Sequence, residues 1–304
     1  MSASESKLSP AEAVGESRGP ARLAKTLVSL WRRKTALFGI SVLTIVVGTA
    51  VLAPWIAPMD PTEQSLPRRM KPPLWSEGGQ VFILGTDHLG RDLLSRVIYG
   101  SRVSLVVGIS AVVFSGGIGL AIGLLAGYCG GRVDYFLMRL VDLVLSFPLI
   151  LLALACVAIL GPSLPLIIVV ISMRVWTIYA RVVRASVLSM RETEFVLAAR
   201  AIGGSDFRVV LRHILPNVVA PVIIIASLYL GQMIVIESGL SFLGLGVPPP
   251  TPTWGGLLSE GRNYIYVSWW IVTFPGLAIT ITVLGSNLVG DWLRDTFDPR
   301  LRTR

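Results

Sequence analysis

The sequence predicts an all-α integral membrane protein: six transmembrane helices with a two-helix loop between the fourth and fifth. Three observations carry that expectation. The 304 residues are 53% hydrophobic and only 15% charged, with a mean hydropathy of +0.71, whereas a soluble domain carries charge on about a quarter of its residues. Six apolar segments, at about 36–57, 103–128, 139–160, 164–186, 217–240 and 266–290, each hold the roughly 20 residues needed to cross about 30 Å of hydrocarbon. Lys and Arg gather on alternate connections, which orients the spans. The net charge of +9 is clustered in this way, so it reads as membrane topology and not as a nucleic-acid surface.

Residues 1–20 are Ser-, Glu-, Gly-, Pro- and Ala-rich without a period, and no packed structure is expected there. Next, "ARLAKTLVSLWRRK" (21–34) puts Leu23, Leu27 and Leu30 on one helical face with Trp31 beside it, followed by Arg32, Arg33 and Lys34. This is an interfacial amphipathic helix leading into a span, and residues 1–35 form a cytoplasmic tail. The first apolar run lies behind this polar tail and is too long for a removable signal.

Residues 36–102 hold the first span and a long external loop. Within it, "GTDHLGRD" sets His88 between Asp87 and Asp92. Three metal ligands are imaginable there, but the reading preferred is a Gly-punctuated turn in which Thr86 or Asp87 caps a helix over 90–99. No metal site and no catalytic residue are expected.

Residues 103–293 form a five-span core. The second span carries Ser115, Gly119, Gly123 and Gly127 at i+4 spacing, a small-residue stripe that lets two helix backbones approach closely. "GGIGLAIG" imitates a dinucleotide fingerprint, but no strand precedes it and the run is apolar throughout. Spans three and four are joined only by "GPSLP". Arg174 falls inside span four and must snorkel or face a wet or protein-lined surface. Glu237, near the outer end of span five, has two open readings: a hydrogen-bonded packing residue, or a position on a translocation path. "GVPPPTPTWGG" (246–256) is a proline-stiffened outer loop that cannot be helix. Its Trp254 is placed to close over a pore, to receive a partner, or merely to connect. Residues 294–304 are a second cytoplasmic tail.

Placing the N terminus inside puts Arg32, Arg33, Lys34, Arg132, Arg139, Arg181, Arg184, Arg191, Arg200, Arg208 and Arg212 on the inner side with the C-terminal tail. The long first loop is the exception, with Arg68, Arg69, Lys71, Arg91, Arg96 and Arg102, balanced by Asp60, Glu63, Glu77, Asp87 and Asp92. Cys129 and Cys156 lie in or beside apolar runs without metal-ligand spacing and read as small membrane-facing or helix-packing residues.

The inner loop "EFVLAARAIGGSDFRVVLRHILP" (194–216) is the stretch of the second half that cannot sit in lipid. Residues 194–202 favour a helix with Ala198, Ala199 and Ala201 on one small-residue surface. Gly203 and Gly204 supply the positive φ that ends it. Ser205 or Asp206 caps a second helix over 207–213, and Pro216 resets the chain for span five. Such a hook fits a groove on another protein; the alternative is an amphipathic loop resting on anionic lipid. Nucleotide hydrolysis on this chain is excluded, because a phosphate loop needs Gly-Lys-Ser/Thr and none of Lys7, Lys25, Lys34 and Lys71 follows a Gly.

The loop resembles the EAA loop of bacterial ABC-importer permeases, with Ala198, Ala199, Gly203, Leu215 and Pro216 in register. Leu197 stands where the motif has Glu, and His213 where it has an apolar residue. Residues 84–108, 237–262 and 274–300 resemble the dipeptide and oligopeptide permease family, more narrowly its "C"-type subunit. The resemblance implies a type I ABC-importer permease fold in the bacterial cytoplasmic membrane, both termini cytoplasmic. It implies a second homologous permease subunit, two cytoplasmic ATPase domains and an external solute-binding protein. It places no cofactor on this chain, with ATP and Mg on the ATPase subunits. The loop, including Gly204, would then be the coupling element. Nickel, glutathione or an oligosaccharide remain alternative cargoes, and a self-sufficient secondary transporter is the alternative mechanism.

Overall fold

Long apolar runs become long helices. The computed structural model describes residues 33–297; the interfacial helix expected at 21–34, but for its last two residues, and the tail beyond 297 lie outside them. Lys34–Val51 forms α1, followed by a short turn of helix, α2 (Ala53–Ile56). A β-hairpin pairs β1 (Trp75–Glu77) with β2 (Gln80–Phe82) antiparallel. Then come α3 (Leu93–Cys129), α4 (Gly131–Ser146), α5 (Leu149–Leu160) and α6 (Leu164–Met190). The inner loop holds α7 (Glu194–Ala201) and α8 (Asp206–Val209). A π-turn, Val210–Ile214, leads into α9 (Leu215–Phe242), and α10 (Trp254–Gly261) and α11 (Trp270–Phe297) complete the described chain. Five helices are long and apolar enough to cross a membrane, and α4 with α5 makes a sixth span if the bent pair counts as one.

Four expectations are corrected. The third span is not straight: α4 and α5 meet at 82°. Pro148 lacks an N–H and drives Phe147 out of the helical region, to φ −87°, ψ 124°. The second span begins ten residues early, at Leu93 rather than 103. Its cap is Asp92, whose carboxylate accepts from the Ser95 N–H at 2.8 Å, rather than Thr86 or Asp87. The proline loop gives way to helix at Trp254, where the Thr253 hydroxyl accepts from the Gly256 N–H at 2.9 Å. Finally, Pro216 does not interrupt the chain. Its ring and missing N–H disturb the preceding turn, and the π-turn at 210–214 absorbs the misfit, so that helix runs from Asp206 to Phe242.

The centre of the bundle is the pair α3 and α6, packed backbone to backbone along the predicted stripe. A Cβ built on Gly119 would lie 2.5 Å from the Trp176 carbonyl oxygen, on Gly123 2.7 Å from that of Ala180, and on Gly127 3.0 Å from that of Arg184. Ser115 donates to the Ser172 carbonyl at 3.4 Å at the same seam. With little hydrophobic drive between helices in lipid, such close van der Waals contact and cross-helix bonding hold them. At one end of the bundle, α1 and α11 are pinned by an Arg33–Asp295 ion pair. That end also holds the turn between α3 and α4 and the inner loop. The opposite end carries the hairpin, the start of α3 and α10.

Candidate functional site

The two-helix hook is built onto the ends of three long helices. Where α6 ends, Arg191 reaches the Gly127 carbonyl of α3 at 3.3 Å, and the Thr193 hydroxyl donates to the Met190 carbonyl at 2.6 Å. The chain then turns into α7. Val196 and Ala199 of α7 pack with Val183 and Val187 of α6, with Val209 and Ile214 of the hook's second arm, and with Val218 of α9. These branched side chains form one buried cluster, so the hook shares a core with α6 and α9.

Gly203 and Gly204 make the corner in different ways. Gly203 has φ +84°, and a Cβ there would meet nothing within 4 Å; the requirement is purely conformational. Gly204 is a close approach: its N–H donates to the Ala199 carbonyl at 3.0 Å, and a Cβ would fall 2.5 Å from that oxygen. Asp206 beyond the corner accepts from the Tyr128 hydroxyl at the end of α3, and the Arg200 guanidinium lies 4.9 Å from the Tyr128 ring centroid. This latch ties both arms of the hook to α3. Because Gly203 acts through φ alone, Gly203→Val is expected to leave the chain able to assemble while straining the corner by about 1–2 kcal/mol. Uptake by the assembly that the resemblance implies should drop, and Gly203→Asn, which tolerates positive φ, should retain most of it. Equal uptake for wild type and Gly203→Val would remove the corner from the mechanism.

The free face of the hook differs from the expected one. Ala199 is only 8% exposed, because it faces the hook's own core. Ala198 and Ala201 remain exposed, so two of the three alanines stay on the surface. What the hook presents is larger: Ile202 is 88% exposed and Phe207 75%, flanking the glycines, with Leu197 and Phe195 about half exposed beside them. Leu197, at the position where the resembled motif has Glu, thus extends an apolar tip. His213 is half-buried within the π-turn, and its carbonyl accepts from Asn217 at 2.7 Å. Leu215 is half-buried and Pro216 exposed on the continuing helix. The sequence held a signal for the tip: two large apolar residues flanking a Gly-Gly corner inside a basic loop. The Tyr128 latch had none, since it joins positions 78 apart.

At the opposite end, Glu237 of α9 is fully buried. Its carboxylate accepts from the Ser241 hydroxyl at 2.7 Å and lies 3.5 Å from those of Ser104 and Ser238. Trp254 closes this region from inside: its indole N–H donates to the Val97 carbonyl at 2.9 Å, and its backbone N–H to Ser104 at 3.3 Å. It packs with Leu93, Leu105 and Leu257. Asp87, His88 and Glu260 bring ligand atoms within 4.8 Å of one another, but Arg91 and Arg96 bridge both carboxylates at 2.5–2.7 Å. The arrangement is an ion-pair knot joining the external loop to α3 and α10. Burial alone would raise the Asp87 carboxyl; the Arg96 and Arg91 charges outweigh it and hold it below the usual carboxylate range. Glu260 is lowered by the same two arginines against its own desolvation. Burial pushes the His88 imidazole down, and its ring stacks on Tyr264 at 5.3 Å.

Residues 119–303 match the family described as binding-protein-dependent transport system inner membrane component. Residues 23–73 match the N-terminal TM domain of oligopeptide transport permease C. Over 284 residues the chain is 45% identical to the di/tripeptide transport system permease protein DppC of Pseudomonas aeruginosa, spanning 93% of this chain and 94% of that one. It is 46% identical over 272 residues to the dipeptide transport system permease protein DppC of Escherichia coli K12, spanning 89% and 91%. Among solved structures, an inward-facing conformation of the MetNI methionine ABC transporter superposes with a TM-score of 0.55 at 19% identity. That superposition covers 67% of this chain and 97% of that one and establishes a shared fold.

Proposed function

Since the chain belongs to the family of inner-membrane components of binding-protein-dependent transport systems, the permease subunits of ABC importers, we propose that its cargo is di- or oligopeptides and that its hook couples transport to ATP hydrolysis on separate subunits. The peptide cargo rests on the relatives, which are named as dipeptide and di/tripeptide permeases. The coupling role rests on one observation: an exposed apolar tip, Ile202 and Phe207, carried on a hook whose core is continuous with α6 and α9.

In this reading a second permease subunit completes the pore and an external binding protein delivers the solute. The N terminus and the hook face the cytoplasm, where Arg and Lys concentrate. ATP draws two ATPase domains together; the hook moves with the domain it grips, and α6 and α9 move with the hook. The driving energy is the difference in the hook's contacts between the two states. Residues 194–216 do mechanical work and no chemistry.

The test is purification of the tagged chain with its partners, identification by mass spectrometry of the subunits and of any ligand on the binding protein, and reconstitution. The complete complex is expected to take up dipeptide only with ATP, and the chain alone in bilayers neither to hydrolyse ATP nor to move peptide. Gradient-driven peptide flux through the chain alone would mark a secondary transporter instead. A nickel, glutathione or oligosaccharide ligand on the co-purified binding protein would reassign the cargo.

A further inference from the structure

Arg174 has no part in the hook, the knot or the helix seam. It lies 10 residues past Leu164 and 16 short of Met190 on α6, about 15 Å and 24 Å along the axis at 1.5 Å per residue. That places it within the hydrocarbon depth. The face of α6 packed on α3 carries Ser172, Trp176, Val183 and Val187, and at 3.6 residues per turn Arg174 and Arg181 project from the opposite side. Arg174 is half-buried, and among the described residues no carboxylate is within ion-pair distance of it. Arg181 pairs with Asp142 of α4 at 2.7 Å, yet these side chains are 52% and 51% exposed. Arg139 of α4 lines the same groove as Asp142, a depression of about 280 Å³.

Lipid is a poor border for this side of α6, because a guanidinium at the depth of Arg174 is costly without water or a partner. A dry subunit interface fits poorly as well. Arg184 takes Asp134 and Arg181 takes Asp142, which leaves Arg174 and Arg139 in excess among the described residues, and an unpaired buried charge is strongly disfavoured. We infer that this side of α6 borders the aqueous solute path and that Arg174 is a carboxylate-binding residue on it, engaging the terminal carboxylate of a peptide in transit. The inference rests on the peptide-importer reading. A planar guanidinium suits a carboxylate through paired N–H donors. Arg181, already shared with Asp142, continues the positive lane toward the hook end.

The test uses the complete complex in proteoliposomes with ATP, binding protein and the dipeptide Ala-Ala. Arg174→Gln is expected to lower the maximal uptake rate at least tenfold. The half-saturating dipeptide concentration should not move, because the binding protein sets it. Arg174→Lys, which keeps the charge but loses the paired N–H donors, should give a rate between those of wild type and Arg174→Gln. An Arg174→Cys chain, with Cys129 and Cys156 replaced by Ser, should react with a membrane-impermeant anionic thiosulfonate in the nucleotide-free or the ATP-trapped complex. Three results overturn the inference: wild-type uptake by Arg174→Gln, Arg174→Lys as slow as Arg174→Gln, or no labelling in either state. Loss of the second permease subunit from purified Arg174→Gln complex also overturns it, since the anion would then belong to a subunit interface. If the wild-type complex itself moves no dipeptide, the cargo reading fails, and the labelling arm still decides whether α6 borders water.

Discussion

Ile202→Asp is expected to strip the ATPase domains from the purified transporter while leaving this chain folded. Ile202 is 88% exposed and supports nothing within the chain, so the substitution touches only what docks on it. Desolvating an isoleucine side chain contributes about 1.5–3 kcal/mol, and an unpaired carboxylate in the same pocket adds a desolvation cost. A loss of about 3–5 kcal/mol is roughly 10²- to 10³-fold or more in affinity. The measurement is subunit stoichiometry after tag purification, together with dipeptide uptake. Phe207→Ser, at the other side of the corner, should act in the same direction. Ala199→Arg is the instructive contrast. It would insert a long cation among Val196, Val209 and Ile214, so lost docking should come with a lowered unfolding temperature. Recovery of both ATPase domains at wild-type stoichiometry with Ile202→Asp would show that the apolar tip is not the grip.

The hook was legible as a hook because its punctuation is local. Gly-Gly between two helix formers specifies a corner, and Gly203 at φ +84° is the residue that makes it. Which face it shows was not legible. The small-residue count points to Ala198, Ala199 and Ala201. Yet Val196, one turn away from Arg200, directs α7 inward toward Val183 and Val187, and that tertiary demand buries Ala199. Pro216 misled for a related reason. Read alone, a proline ends a helix; followed by 26 residues of apolar helix, it is tolerated by a π-turn. The apolar stretch at 139–160 had the composition of one span, and only the placement of Pro148 marked the break between α4 and α5. The knot of Arg91 and Arg96 with Glu260 joins residues more than 160 positions apart, and no spacing rule reaches that far.

The continuity of packing from hook to span explains why a displacement at Ile202 would not be lost in a soft joint. Val183, Val187, Val209, Ile214 and Val218 are each fully buried in one cluster, and close-packed interiors transmit displacement instead of absorbing it. In the proposed coupling, the unbroken run from Asp206 to Phe242 would then carry movement toward the outer end, where Glu237 lies. The same rigidity depends on α3 remaining seated against α6.

Gly123→Leu is therefore expected to have a large effect on the bundle. A Cβ at this position would fall 2.6 Å from the Val183 Cβ and 2.7 Å from the Ala180 carbonyl oxygen. Neither obstacle is the movable end of a flexible side chain: one is the branch point of a buried valine and the other is backbone. Accommodation requires α3 and α6 to separate along the seam that Gly119, Gly123 and Gly127 define together, which would also part the Ser115 and Ser172 contacts. Overpacking in a well-packed core costs about 1–3 kcal/mol, and a backbone obstruction places this case at or above the upper end. The expected result is a large fall in membrane expression and in the unfolding temperature of the detergent-solubilised complex. Gly117→Leu supplies the control: it lies on the same helix, less than two turns away, and a Cβ there meets nothing within 4 Å. Composition, helix propensity and added hydrophobicity change identically in the two variants. Only the approach of α6 differs, so equal expression and thermal stability for the two would rule out the close seam as what holds the bundle together.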